Sequence, residues 1–286
     1  MDRRDLQSGP WHVQCVPGDG ARISRLRFRG VDLLTREPAG FHPPIGDHGR
    51  FETRPAYGYD DCFPSVDACA YPEGGFDVPD HGELLWLPWD VRAGDGRLVC
   101  SVASELLPVT FTREMVFGDA SLEWRFGVRN ASDLALPFSH VMHALMPPGE
   151  VVSLRLPACA AVVSESGRPW TRGNDPTVAA EHLLGLRPPA AEMLLLRGCR
   201  AGRAEVDLRG GLTVAVVFPV DLFPTLGVWW NVGGHPAEAG LERFECALEP
   251  MPGPWSSLAR SHAEGQCLTV PPGASLAWTI AWHVRS

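Results

Sequence analysis

The sequence predicts an all-β protein, built as a large antiparallel β-sandwich with few short helices. Apolar and polar residues alternate with a period of two over several stretches, as they do along half-buried strands. The 30 glycines and 27 prolines are spread between those stretches as turn residues. Because all-β folds of roughly 200–250 residues often form one domain, we expect a single domain over residues 1–286.

The clearest strands form a predicted hairpin in the middle of the chain. Apolar residues occupy alternate positions of 109–117 and 122–128, although Arg113 interrupts the first series. Gly118-Asp119 lies between the two stretches and supplies turn chemistry, which is typical of a β-hairpin. Further strands are predicted over 98–104, 212–218, 226–231 and 276–284.

Helical periodicity is weak outside one segment. Residues 178–186 are the best helix candidate, and Pro188-Pro189 ends it. Turn residues at 130–133 and 271–273 separate the neighbouring strands. We therefore expect helices only as short connections within a mainly β-structure.

Charge and composition exclude several classes of protein. The chain has 34 acidic and 25 basic residues, and its net charge of -9 gives no general attraction to nucleic acid or to an anionic membrane. All 25 basic residues are arginine. The absence of lysine excludes a Schiff base, a pyridoxal phosphate anchor and a Walker A loop.

Targeting signals and cysteine usage indicate a cytoplasmic protein. No apolar run approaches the ~18 residues that a membrane span needs, and residues 1–10 lack the apolar core of a signal peptide. The eight cysteines are scattered without a CxxC pair. We therefore expect reduced, mostly buried thiols rather than disulfides or a metal site.

Two polar clusters in the first third of the chain are candidates for a binding site. Asp60 and Asp61 stand between aromatic residues and a proline turn, where paired acids can bind sugar hydroxyls. The alternative is a turn with one of them as a local cap. His81 lies between two acids that could fix its tautomer, and Gly82 would let the backbone approach a ligand closely. The alternative is a surface-loop histidine.

The third cluster holds two histidines. His140 and His143 are an odd number of residues apart, so a regular strand places them on opposite faces, which weakens a joint metal site. One of them can face a cleft as a general acid, and the alternative is one core histidine and one exposed histidine.

The fourth cluster holds two glutamates on one predicted strand. Glu249 precedes Pro250, which ends regular strand pairing, so its carboxylate is well placed to project into a cleft. Glu245 is four residues earlier and on the same face. The alternative for either glutamate is an edge charge that faces solvent.

Taken in this order, the clusters resemble the galactose mutarotase-like (aldose 1-epimerase) family over most of the chain, from about Ile23 to His283. The segment Asp80-His-Gly82 looks like the Asp-His-Gly segment of that family. The hairpin 111–130 looks like the stretch before its second histidine. The other matching segments are Met142-His143-Ala-Leu, Leu248-Glu249-Pro250 and Pro271-Pro-Gly273.

The resemblance implies an antiparallel β-supersandwich and an isomerase that interconverts the α and β anomers of a free aldose. Glu249 would be the general base that takes the proton of the anomeric hydroxyl. His143 would be the general acid that protonates the ring oxygen, and His81 would orient the sugar. The reaction needs no metal, nucleotide or redox cofactor. We expect a small-molecule sugar as partner and a monomer or homodimer.

Further residues are expected to bind the sugar. Asp60 and Asp61 are candidate hydroxyl acceptors, and Trp229, Trp230 and Asn231 are candidate walls of the sugar site. The segment after His143 and the early part of the chain depart from the family pattern, which leaves the natural sugar open.

Three other functions are compatible with these residues. Arg54 and Arg50 could bind a phosphate, which would make the protein a hexose-phosphate mutarotase. A non-catalytic carbohydrate-binding or regulatory protein could use the same fold. A lyase or hydrolase could pair Glu249 with Asp60 or Asp61, because glycosidases need two carboxylates at set separations.

Overall fold

The computed structural model describes residues 2–38, 51, 56–166, 169–236 and 243–286. Antiparallel strands dominate these residues, as the alternating pattern predicts. The strands are β1 (Arg4–Ser8), β2 (Trp11–Val16), β3 (Arg22–Phe28), β4 (Val31–Asp32), β5 (Tyr59–Cys62), β6 (Cys69–Ala70), β7 (Asp77–Val78), β8 (Asp90–Gly94), β9 (Arg97–Ala103), β10 (Val109–Phe117), β11 (Ser121–Asn130), β12 (Leu136–Phe138), β13 (Val141–Ala144), β14 (Val151–Arg155), β15 (Ala161–Ser164), β16 (Ala190–Arg197), β17 (Arg203–Leu208), β18 (Thr213–Val217), β19 (Thr225–Val232), β20 (Phe244–Met251), β21 (Leu268–Val270) and β22 (Ser275–Arg285). The α-helices are α1 (Pro176–Leu184) and α2 (Leu258–Ala263).

The largest sheet has eight strands in the order β14-β17-β18-β22-β11-β10-β9-β8. The predicted hairpin is confirmed, because β10 pairs with β11 and the Gly118 amide donates to the Ser121 carbonyl at 2.9 Å. Arg113 occupies a core-facing position of β10, and its guanidinium bonds the carboxylate of Asp61 inside the protein. The break in the apolar pattern is therefore a buried ion pair.

Two further sheets lie against this one. The first has the order β1-β2-β3-β5-β13, with β4 beside β3, and the second has the order β15-β16-β19-β20. Met146 and Cys246 join the two sheets edge to edge, because each amide donates to the other residue's carbonyl, at 2.7 and 2.8 Å. This bridge brings β13 alongside β20.

The core is formed by buried apolar side chains from all three sheets, which belong to one cluster. The ring of Tyr59 on β5 lies 4.5 Å from the ring of Trp124 on β11, and Trp124 lies 5.7 Å from Trp282 on β22. Trp230 on β19 belongs to the same cluster. The predicted all-β sandwich is confirmed.

The helices are short, as expected. Helix α1 begins two residues before the predicted segment, because Asp175 caps it by accepting a hydrogen bond from the Thr177 amide at 2.8 Å. Helix α2 has only six residues, which is too short for a recognisable periodic pattern. Within the described ranges, neither helix has the length and apolar character that crossing a membrane requires.

The cysteines agree with the prediction from the sequence. All eight are free thiols, and only Cys69 and Cys267 are partly exposed.

Candidate active site

A cleft of about 1150 Å³ lies over the four-stranded sheet, where that sheet meets β13. Side chains on alternate positions of β20 point to one face, so Glu245 and Glu249 both line the cleft. Trp229 on β19, His143 on β13 and the loop residue His81 complete its central wall. The fold thus brings together the predicted base, the predicted acid and the predicted orienting histidine.

Glu249 is a buried carboxyl group that faces the cleft. Its side chain is 3 % exposed, and none of the described residues donates a hydrogen bond to its carboxylate. Burial raises the pKa of Glu249 to about 7, the positive charge of His143 opposes this rise, and the carboxylates of Glu165 and Asp60 add to it. A carboxyl group with this pKa can both accept and return a proton at neutral pH.

His143 is held in one orientation by Asp60. The Nδ1 atom of His143 lies 2.8 Å from Oδ1 of Asp60, so the Nδ1–H donates to the carboxylate and the other ring nitrogen, Nε2, is available to the cleft. Burial alone lowers the pKa of His143, but the charge and hydrogen bond of Asp60 outweigh it and leave the pKa raised.

Asp60 is fixed in turn by a buried arginine. The Arg22 guanidinium lies 2.7 Å from Oδ2 of Asp60 and 3.0 Å from Oδ2 of Asp19. A chain of charges therefore runs from the core to the cleft, through Arg22 and Asp60 to His143. Both oxygens of Asp60 have partners inside the protein and the residue is 1 % exposed. The structure therefore places Asp60 against the candidate acid and not in the lining of the cleft, where a hydroxyl acceptor would lie.

Asp61 also differs from the prediction. Adjacent residues of a strand point to opposite faces, and Asp61 points into the core, where it bonds Arg113, Tyr59 and the Nε2 atom of His140. His140 therefore lies on the opposite face from His143, as their odd separation predicts. Asp61 is not available to a ligand in the cleft.

His81 adopts a left-handed backbone conformation, with φ of +61°. Its ring stacks on Phe51 with 3.5 Å between centroids, lies 5.0 Å from the ring of His143, and has Nδ1 3.2 Å from Oδ1 of Asp80. Burial lowers the pKa of His81. A neutral imidazole in this position can donate or accept a hydrogen bond to a sugar oxygen.

Gly82 is required for a reason other than the predicted one. It has φ of +73°, and a Cβ atom there would lie 1.9 Å from the carbonyl oxygen of Phe63. The close approach that glycine permits is thus between two protein backbones and not between backbone and ligand. Glu83 turns away from His81 and accepts hydrogen bonds from the amides of Glu105 and Leu106.

Strand alternation places the neighbouring tryptophans of the predicted wall on opposite faces of β19. Trp229 lines the cleft and donates from Nε1 to Glu245 at 3.2 Å. Trp230 faces the core and is 4 % exposed, so it does not form the wall. Asn231 is buried, donates to Glu245 at 2.8 Å and accepts from the Gly234 amide at 2.9 Å. Its role is to position Glu245.

Arg54 and Arg50, the predicted phosphate contacts, lie outside the described residues. Several other residues that line the cleft have no recognisable signal in the sequence, because they are single polar or aromatic residues in separate segments: Glu165, Trp170, Arg172, His182, Glu192 and Ser256. No spacing pattern connects them along the chain.

One trio of side chains has the composition of a metal site. Donor atoms of Cys62, His81 and His143 lie within 4.8 Å of one another. Zinc binds cysteine as the thiolate, but burial raises the pKa of Cys62 well above its usual value. A metal bound here would therefore have to displace the thiol proton of Cys62.

Comparison with known proteins identifies the fold. No protein-family model and no curated protein matches the sequence. Among solved structures, a protein from Synechocystis sp. PCC 6803 aligns with a TM-score of 0.73 and 17% identity over 99% of this chain and 95% of that chain. A provisionally assigned aldose 1-epimerase of Escherichia coli K12 aligns with a TM-score of 0.70 and 15% identity over 99% of both chains.

A galactose mutarotase-like protein of Lactobacillus casei ATCC 334 is also similar, with a TM-score of 0.69 and 13% identity over 99% of this chain and 100% of that chain. The protein therefore has the galactose mutarotase-like fold, a β-sandwich of the kind found in these proteins. At this level of identity the likeness concerns the fold, so its activity has to be argued from the cleft.

Proposed function

We propose that this protein is a carbohydrate isomerase that interconverts the α and β anomers of a free aldose. The observation that carries the proposal is the pairing, in one cleft, of a buried carboxyl group that accepts no hydrogen bond from the described residues with an oriented imidazole. The pKa of Glu249 is about 7, and the pKa of His143 is raised above its usual value. Both groups can therefore exchange protons near neutral pH.

The reaction follows from these two groups. The Glu249 carboxylate takes the proton of the anomeric hydroxyl while the His143 imidazolium gives its Nε2 proton to the ring oxygen. The bond between C1 and the ring oxygen breaks, and the sugar opens to the aldehyde. After rotation about the C1–C2 bond, the ring hydroxyl attacks the other face, His143 recovers its proton and Glu249 returns one to O1.

The surrounding residues support this assignment. The Asp60 carboxylate accepts the Nδ1–H of His143 and favours the imidazolium form. In this proposal, His81 contacts the ring oxygen or the anomeric hydroxyl and orients the sugar. Trp229 offers an apolar face for the C–H groups of a sugar ring, as is usual in carbohydrate sites.

Polarimetry tests the proposal directly. Freshly dissolved α-D-glucose and α-D-galactose should relax faster with wild-type protein than in buffer. Glu249→Gln and His143→Ala should each reduce the acceleration by about 10²–10⁴-fold. The matched control is Glu123→Gln, which removes a carboxylate that is 43% exposed on β11 and should leave the rate unchanged.

Full activity in both cleft variants would contradict the assigned roles. A folded wild-type protein whose melting temperature rises with sugar, but which accelerates neither reaction, would instead identify a binding protein on the same fold.

A further inference from the structure

The cleft has an excess of negative charge. Among the described residues that line it, six carboxylates face two guanidinium groups, those of Arg172 and Arg243. The carboxylates are Asp67, Asp80, Glu165, Glu192, Glu245 and Glu249. With His143 counted as an imidazolium and Glu249, whose pKa is about 7, counted as neutral, two net negative charges remain.

Three of these carboxylates are held by neutral donors. Glu192 accepts from the hydroxyl of Ser164. Glu165 accepts from the Ser256 hydroxyl at 2.6 Å, and Glu245 accepts from Asn231 and Trp229. Neutral donors satisfy hydrogen bonds without cancelling charge, so the negative potential of the cleft persists.

Glu249 provides a second, independent indication of a ligand. It is almost fully buried and lines the cleft, yet no described residue donates to its carboxylate. Burial penalises the ionised form of this carboxyl group, and a ligand that presents a hydroxyl or ammonium group to it from the cleft would offset that penalty. The ligand that completes this site is therefore a hydrogen-bond donor.

The chain as a whole is also acidic. By sequence, the segments outside the described ranges add three arginines, Arg50, Arg54 and Arg168, and four carboxylates, those of Asp47, Glu52, Glu238 and Glu242. The net charge of the whole chain is -9. The described lining residues and the whole chain therefore carry the same sign of charge.

We propose that the cleft selects sugars by charge: it favours amino sugars in their ammonium form over neutral aldoses and disfavours anionic sugars such as uronic acids and sugar phosphates. This inference rests on the proposed mutarotase function. A concave site lined by one sign of charge raises the local concentration of oppositely charged ligands and their association rates by about 10–10³-fold.

The test compares sugars that differ in charge but share a ring. Polarimetry at pH 6.5 gives kcat/KM for D-glucosamine, D-glucose, N-acetyl-D-glucosamine and D-glucuronate, in 20 mM and 500 mM salt. We expect glucosamine to exceed glucuronate by at least 100-fold at low salt, and this ratio to fall at high salt because salt screens charge. The neutral N-acetyl derivative separates charge from the bulk of the substituent.

A cleft variant links the preference to its residues. Glu245 lies four residues along β20 from Glu249, about 13 Å away, and a glutamine there can still accept from Asn231. Glu245→Gln should lower the ratio of glucosamine to glucuronate several-fold, whereas the exposed control Glu123→Gln should not change it.

The outcomes separate this inference from the proposed function. Accelerated mutarotation with equal kcat/KM for all charges would overturn charge selection and leave the isomerase intact. If the mutarotation of no sugar is accelerated, the proposed function fails, but charge selection can still be tested by thermal shift with the same four sugars. A melting temperature raised by glucosamine but not by glucuronate supports charge selection. Equal or opposite shifts overturn it.

Discussion

Two neighbouring aspartates on β5 allow catalysis and stability to be separated. Asp60 contacts the cleft residue His143 and the arginine Arg22. Asp61 contacts His140 and Arg113 in the core. Each is buried and each pairs one histidine with one arginine. Asp60→Asn and Asp61→Asn are therefore matched perturbations with opposite expected consequences.

Asp60→Asn should mainly reduce activity. A hydrogen bond to a charged group contributes about 1.5–3 kcal/mol, which corresponds to about a 10- to 150-fold loss of kcat if it acts on the imidazolium of His143. Removing the anion lowers the pKa of His143, so the fall in rate at alkaline pH should move to lower pH. The loss of stability should be modest, because Arg22 keeps Asp19 at 3.0 Å and the Tyr57 carbonyl at 2.8 Å.

Asp61→Asn should mainly reduce stability. It leaves the buried guanidinium of Arg113 without its carboxylate, and breaking a buried ion pair from one side costs about 3–5 kcal/mol. The fraction that stays folded should keep the wild-type dependence of kcat on pH. Urea unfolding and polarimetry from pH 5.5 to 8.5 measure both effects, and an unchanged kcat and pH profile in Asp60→Asn would refute the role given to Asp60.

Three further predictions concern the base and the loop that carries His81. Wild-type kcat/KM should rise about 50-fold between pH 5 and pH 7. With a pKa of about 7, about 1% of the Glu249 side chains are ionised at pH 5 and half are ionised at pH 7. A kcat/KM that does not change over this range would exclude Glu249 as the base. The pKa of Glu249 rises from 4.5 to about 7 on folding, so the folded state binds more protons and stability falls as pH rises through this interval. Glu249→Gln should therefore lose most of its activity but be more stable than wild type at pH 8, by about 3 kcal/mol. An unchanged or lower midpoint of urea unfolding would show that burial does not penalise the charge of Glu249. Gly82→Ala should destabilise the protein by more than the about 1–3 kcal/mol of an unfavourable backbone conformation, because its Cβ meets the Phe63 carbonyl; a wild-type melting temperature would contradict this geometry.

Strand pattern was the most predictable property of the chain. Period-two alternation identified the hairpin of β10 and β11 and placed Glu245 and Glu249 on one face. The same alternation explains why Trp230 and Asp61 are not cleft residues, but the sequence alone does not say which face of a strand meets the cleft when both faces are covered. That information comes from the packing of the sheets.

Pairwise contacts were less predictable than strands. Arg113 was recognised only as an interruption, because its partner Asp61 is 52 residues away and on another sheet. The segment around Asp60 is typical of a sugar-binding loop. Only the three-dimensional structure shows that both carboxylate oxygens of Asp60 already contact other side chains, those of Arg22 and His143. Residues such as Glu192 and Trp170 had no local signal, since they reach the cleft from different elements.

The separation between the candidate acid and base is set by main-chain atoms. His143 precedes Met146 by three residues and Glu249 follows Cys246 by three, and these two bridge residues exchange both amide hydrogen bonds. In an antiparallel arrangement, equal steps in opposite chain directions place the two side chains across from each other. Substitutions along the cleft walls can therefore change which ligand fits while the main-chain bridge keeps His143 and Glu249 across from each other, so a new specificity can evolve without a change in the frame that holds these two side chains.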